Sequence, residues 1–105
     1  MNKYSQDILN RISSKAKEVL PSGATIKLYG SRARGDNRPD SDWDILILLD
    51  KQRIEREDRD KISYPFRELG WDIDAIINPV MYTKKDWETS RSLFHNFVEE
   101  DAITL

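Results

Sequence analysis

Residues 24–49 read ATIKLYGSRARGDNRPDSDWDILILL, and the fold turns on how this stretch is parsed. Ala24 to Tyr29 is a short β-rich run and reads as a strand. Gly30-Ser31-Arg32-Ala33-Arg34-Gly35 follows at once, a turn that can open a short helix. Asp36 to Ser41, with Pro39 inside it, is a polar loop. Ile45 to Leu49 is an unbroken apolar run, the pattern of a strand buried on both faces.

Upstream, Ile8, Leu9, Ile12, Ala16, Val19 and Leu20 fall on one helical stripe, which Pro21-Ser22-Gly23 stops. Downstream, residues 51–61 are almost all charged and read as the solvated face of a helix. Ile62, Phe66 and Leu69 continue at helical spacing; Pro65 kinks or restarts this helix and Gly70 closes it. Trp71 to Ile77 (WDIDAII) reads as a third strand, ended by Asn78-Pro79. Thr83-Lys84-Lys85-Asp86 has the form of a helix start. Leu93, Phe94, Phe97 and Val98 supply the apolar face of a last helix. The order is helix, strand, short helix, strand, helix, strand, helix. It predicts one α/β (α+β) domain over residues 1–105, a small mixed sheet of three or four strands with helices packed on it.

Composition sets the class. The chain of 105 residues is 38% hydrophobic and 34% charged, as expected of a soluble globule with one modest core. Its 17 Lys and Arg against 19 Asp and Glu give a net charge of −2, with no global pull toward nucleic acid or membrane. There is no cysteine, which excludes disulfides and thiolate metal sites and fits a reducing cytoplasm. No apolar run is long enough to span a membrane, and no signal peptide is expected at Met1-Asn2-Lys3-Tyr4.

Two features carry chemistry. A glycine directly after a strand, Gly30, lets backbone approach a ligand closely, and Ser31 beside it would meet phosphate if it starts a helix. Asp42-x-Asp44 stands at the mouth of a buried strand, where side chains two apart face the same way. Paired carboxylates repel, and a divalent cation removes the conflict; Mg²⁺ takes a few carboxylate oxygens plus water and substrate phosphate. The plain alternative is a turn-capping aspartate next to an unrelated surface one. Asp72-x-Asp74 repeats the arrangement in the expected third strand, so three or four acids could converge on a two-cation site. Two aspartates on one strand face lie about 6.5 Å apart, so only one of them can sit level with Asp42 and Asp44. Arg32 and Arg34 are candidate phosphate ligands, with ordinary surface arginines as the alternative. His95 reads as structural, and the tryptophans as core, with partner surface as the alternative, and not as base-stacking platforms. With no Gly-x-x-x-x-Gly-Lys-Ser/Thr loop, a P-loop nucleotide hydrolase is not expected.

Gly30-Ser31, a gap of about ten residues, then Asp42-Trp43-Asp44 leading into Ile45-Leu46-Ile47 resembles the signature of the DNA polymerase β-like nucleotidyltransferase superfamily. Its small stand-alone branch, the minimal nucleotidyltransferases related to the MntA antitoxins, is the most similar. The resemblance implies that Gly30 and Ser31 bind a triphosphate and that Asp42 and Asp44 hold Mg²⁺. Two ions are implied, and Mn²⁺ could replace them. A third acid would come from the third strand, where the pattern fits Asp74 and also Asp72. The implied activity is transfer of a nucleoside monophosphate, AMP foremost, to a hydroxyl on a partner protein, with release of pyrophosphate. The alternative implied by the same resemblance is a weakly catalytic or non-catalytic antitoxin that neutralises a helical HEPN-type partner.

Overall fold

A computed structural model describes all 105 residues. α1 (Lys3–Val19) buries Ile8, Ile12 and Ala16 of the predicted stripe, with Leu9, Val19 and Leu20 partly buried, and also buries Ser5; Asn2 caps it by accepting from the Ser5 N–H. β1 (Thr25–Tyr29) follows, then the one-turn helix α2 (Ser31–Arg34) and β2 (Trp43–Leu49). A long helical segment comes next. It begins as α3 (Arg56–Asp58), widens into a π-helical stretch over Arg59–Ser63 and continues as α4 (Tyr64–Asp72), with Pro65 in its first turn. β3 (Ile77–Thr83), α5 (Lys84–Thr89), α6 (Leu93–Asp101) and the two-residue β4 (Ile103–Thr104) complete the chain.

The sheet order is β3-β2-β1-β4. β1 pairs antiparallel with β2 and with β4, while β2 and β3 run parallel. Parallel neighbours need a long crossover, and residues 50–76 supply it through α3 and α4. The sheet is covered on both sides, which is why β2 is apolar from Ile45 to Leu49. Ile26, Leu28, Trp43, Ile45, Ile47 and Ile77 pack with α1 and α4 on one face. Leu46 and Leu48 meet Trp87 and Val98 on the other. No helix is long and apolar enough to cross a membrane.

The third strand lies elsewhere than the sequence pattern suggested. Trp71 and Asp72 close α4, and the strand starts only at Ile77. Gly70, expected to end the helix, is buried inside it; a Cβ there would sit 2.6 Å from the Ala75 carbonyl oxygen. The chain leaves α4 through a turn in which the Ala75 N–H donates to the Gly70 carbonyl and Asp74 takes a left-handed conformation, φ 56°. A residue of that geometry, spanned by that bond, is a helix C-terminal cap, and aspartate is among the few non-glycine residues that tolerate it. Asn78-Pro79, expected to end a strand, lies within β3. Pro79 is accommodated because β3 is an edge strand, where a missing N–H on the open side costs no ladder bond.

Two smaller differences concern charge and surface. Asp58, inside the run read as a solvated face, is buried; both its oxygens accept from Lys51 Nζ, at 2.8 and 3.1 Å. The last helix buries only Val98, leaving Leu93, Phe94 and Phe97 exposed.

Candidate active site

The β1–α2 junction and the start of β2 lie side by side because Tyr29 pairs with Asp44 in the antiparallel register. The next residue, Gly30, has φ 77° and ψ −158°, a region essentially reserved for glycine. A Cβ on Gly30 would lie 2.8 Å from Asp44 Oδ2. Dihedral and space both demand glycine, and together they bring bare backbone against a carboxylate. Ser31 opens α2 directly beyond it.

Strand alternation separates the side chains at the mouth of β2. Trp43 is fully buried in the core, while Asp42 and Asp44 remain partly exposed. Parallel pairing sets Asn78 opposite Asp44. The Asn78 amide donates from Nδ2 to Asp42 Oδ2 at 2.8 Å and, more weakly, to Asp44 Oδ1 at 3.4 Å. One neutral amide thus ties the two carboxylates together.

The electrostatics show strain that this amide does not fully relieve. Burial pushes the Asp44 carboxyl above the ordinary carboxylate range; the Asn78 hydrogen bond counters this, and the charge of Asp42 adds to it. Tyr29 is pushed up to about 12, mainly by burial and then by the negative charge of Asp44. A cation beside Asp44 would oppose both trends by favouring the charged forms. Two carboxylates, with water and substrate phosphate completing the shell, form a donor set that Mg²⁺ takes, so the residues fit one such ion.

The wider acid cluster does not form. No group of three or more Asp, Glu or His side chains is placed to hold a metal ion. Asp72 is exposed at the end of α4. Asp74 lines a cleft of about 450 Å³ with Tyr4, Asp40, Ser41 and Trp71, and neither Asp42 nor Asp44 borders it. The reason is the displaced strand: the residue opposite Asp44 is Asn78, four positions beyond Asp74. Sequence reading missed Asn78 because Asn-Pro is an ordinary chain-turning pair. Only the β2–β3 register reveals its place.

The two arginines are also engaged elsewhere. Arg32 is buried, and all three guanidinium nitrogens are used: Nε and Nη2 donate to the Ser41 carbonyl at 3.2 and 2.9 Å, Nη2 also to the Pro39 carbonyl at 3.1 Å, and Nη1 to Ser5 Oγ at 3.4 Å. Its guanidinium carbon lies 4.4 Å from the Trp43 ring centroid. Arg32 is therefore the post that holds the 39–41 loop, and with it Asp42, against the core; it is buried, and in this structure its guanidinium is taken up by protein acceptors. Arg34 is exposed and bridges Asp36 and Asp101 at 3.1 and 3.0 Å, so its charge is already matched by two acids. Of the tryptophans, Trp43 and Trp87 are core and Trp71 is 66% exposed. The His95 ring packs on Trp87 at 4.6 Å between centroids.

Comparison with known proteins gives the family and the fold. The family model of the nucleotidyltransferase domain matches residues 7–99. A Methanocaldococcus jannaschii protein named "putative protein adenylyltransferase" is 28% identical over 103 residues, covering 98% of this chain and 92% of its own. Among solved structures, a toxin–antitoxin crystal structure with AMP-PNP superposes with a TM-score of 0.66 at 18% identity, covering 90% of this chain and 69% of that one. A mutant of the toxin–antitoxin MntA–HpeT gives 0.65 at 20% identity, covering 92% and 70%. At such identities these two speak for the fold. The family match spans nearly the whole chain, including Gly30, Ser31, Asp42 and Asp44, and so this protein belongs to the nucleotidyltransferase domain family and is a nucleotidyltransferase.

Proposed function

We propose that the chain binds a nucleoside triphosphate with Mg²⁺ and transfers its nucleoside monophosphate, AMP foremost, to a hydroxyl on a partner protein. The observation that carries this reading is the contact geometry at Gly30. Glycine backbone that admits a phosphate lies against Asp44, whose burial leaves its charge in want of a cation. In the reaction, an acceptor oxygen forms a bond to the α-phosphorus, the bond from that phosphorus to the bridging oxygen breaks, pyrophosphate leaves and the acceptor proton passes to solvent or a base. Mg²⁺, when bound, would supply positive charge for the phosphates. Asp42 and Asp44 would hold it, and Gly30 and Ser31 would cradle the triphosphate. The chain's contribution is positioning and charge neutralisation. We take such a reaction to be cytoplasmic, where the triphosphate is supplied.

A second reading has its own support. Asn78 stands opposite Asp44 where an acid was expected, and Leu93 and Phe97 on α6 are 73% and 63% exposed. Both suit a protein that works by covering a partner, of the HEPN type implied by the sequence resemblance, with transfer slow or absent.

Calorimetry with ATP, with and without Mg²⁺, tests the site. Binding should need the ion and vanish in Asp42→Asn/Asp44→Asn; undiminished affinity in that variant refutes the reading. Labelled-nucleotide transfer onto a co-expressed partner separates enzyme from cover.

A further inference from the structure

We infer that Asn78 limits this site to a single divalent cation per bound nucleotide. The inference rests on the metal–nucleotide reading above and concerns the neutral side chain that stands between its two carboxylates.

A two-cation centre needs carboxylate oxygens that bridge ions roughly 3.5–4 Å apart. Asp42 and Asp44 offer four oxygens between them. Asn78 Nδ2 takes Asp42 Oδ2 at 2.8 Å and leans on Asp44 Oδ1 at 3.4 Å. That leaves Asp42 Oδ1 free and Asp44 Oδ2, which lies on the Gly30 side. Two such oxygens, completed by phosphate and water, suffice for one octahedral ion. A second ion would have to share the oxygens that face Asn78, and there it would meet an N–H donor, the positive end of a dipole, in place of a third ligand. Without an ion the amide keeps its N–H toward the carboxylates, and turned the other way it would offer one neutral oxygen where an acid would offer a charged, bridging pair.

No other acid makes up the deficit. Asp72 and Asp74 are held away by the α4 cap, and no third Asp, Glu or His joins the pair. Asn78 is fixed in place by the strand register, with Ile77 and Pro79 on either side of it buried. The position is therefore built, and an aspartate there would face both carboxylates. An amide at this position has a further chemical consequence: here the chain offers the acceptor hydroxyl no carboxylate to take its proton.

The experiment is a Mn²⁺ titration of the full chain in saturating α,β-methylene-ATP. Free Mn²⁺ is followed by electron paramagnetic resonance against a nucleotide-only blank. Wild type should retain one Mn²⁺ per protein–nucleotide complex, and Asn78→Asp should retain two. Asn78→Ser, which removes the amide without adding charge, should keep one. Thermal melting gives a second reading: Asn78→Asp should melt below wild type without metal, from repulsion among three carboxylates, and gain more from Mn²⁺ than wild type does. Two ions of similar affinity in wild type would overturn the inference, as would a folded Asn78→Asp that still holds one. If Asn78→Asp does not fold, the wild-type and Asn78→Ser counts decide alone. Failure of wild type to retain any Mn²⁺ with nucleotide would refute the underlying metal–nucleotide reading, a distinct result.

Discussion

Gly30→Ala is the substitution for which the structure gives the sharpest expectation. At φ 77° and ψ −158° an alanine is strained whatever surrounds it, by about 1–3 kcal/mol. Its Cβ would also fall 2.8 Å from Asp44 Oδ2. A carboxylate can rotate away from such a clash at little cost to folding, but it then leaves the position in which it would hold a cation. Two separable effects follow. Stability should fall by about 2 kcal/mol, which for a domain of this size lowers Tm by about 10 °C. Affinity for the Mn²⁺–nucleotide complex should fall a further tenfold to hundredfold, the usual result of disturbing a group that orients a metal ligand. Gly35→Ala is the matched control. Gly35 also has positive φ, 84°, yet nothing lies within 4 Å of its would-be Cβ. It should lose stability of the same order and keep its affinity. Chemical denaturation and calorimetry on the two variants, at a temperature where both are folded, make the comparison. Unchanged Mn²⁺–nucleotide affinity in Gly30→Ala, or an equal loss in Gly35→Ala, would refute the placement of Asp44 as a metal ligand against Gly30.

Asp74→Gly should raise stability by about 1 kcal/mol, since glycine takes the left-handed cap without strain, and should leave nucleotide affinity and transfer unchanged; abolished transfer in a stable variant would restore Asp74 to the site. Arg32→Lys should cost about 2 kcal/mol in urea unfolding, because an ammonium cannot serve the Ser41, Pro39 and Ser5 acceptors together or stack on Trp43; stability within error of wild type would show that the loop needs no such post. Asp58 sits in burial that favours its neutral form, but Lys51 and the Glu55 N–H outweigh this and hold its pKa below the usual 3.8. Its contribution to stability should therefore be complete above about pH 4 and vanish as pH falls through the lower folded-state pKa. Asp58→Asn should cost about 1 kcal/mol at neutral pH, with a smaller gap at acid pH on denaturation curves. A gap that widens on acidification would reverse the sign and refute the assignment.

The sequence by itself determined the parts of this protein whose signal is local. A helical stripe from Ile8 to Leu20, a β-rich run broken by Gly30, and an apolar run entered through Asp42-x-Asp44 each encode their geometry within a few residues. The two elements of the candidate site, glycine junction and paired acids, follow from a strand end and strand alternation. The rest depended on partners distant in the chain. WDIDAII alternates as well as a strand does, but Gly70 is packed against the Ala75 carbonyl, so Trp71 and Asp72 stay helical and Asp74 becomes a cap. Asn78-Pro79 carries the local marks of a turn, and only its place on the sheet edge beside β2 makes it strand and sets its amide between Asp42 and Asp44. Arg32 could not be read as a buried post without knowing that Trp43, Pro39 and Ser41 surround it. Periodicity and turn chemistry are properties of neighbours in sequence, whereas register, burial and the number of carboxylates at one point are properties of neighbours in space. For this chain, that difference turned the expected third acid into an amide.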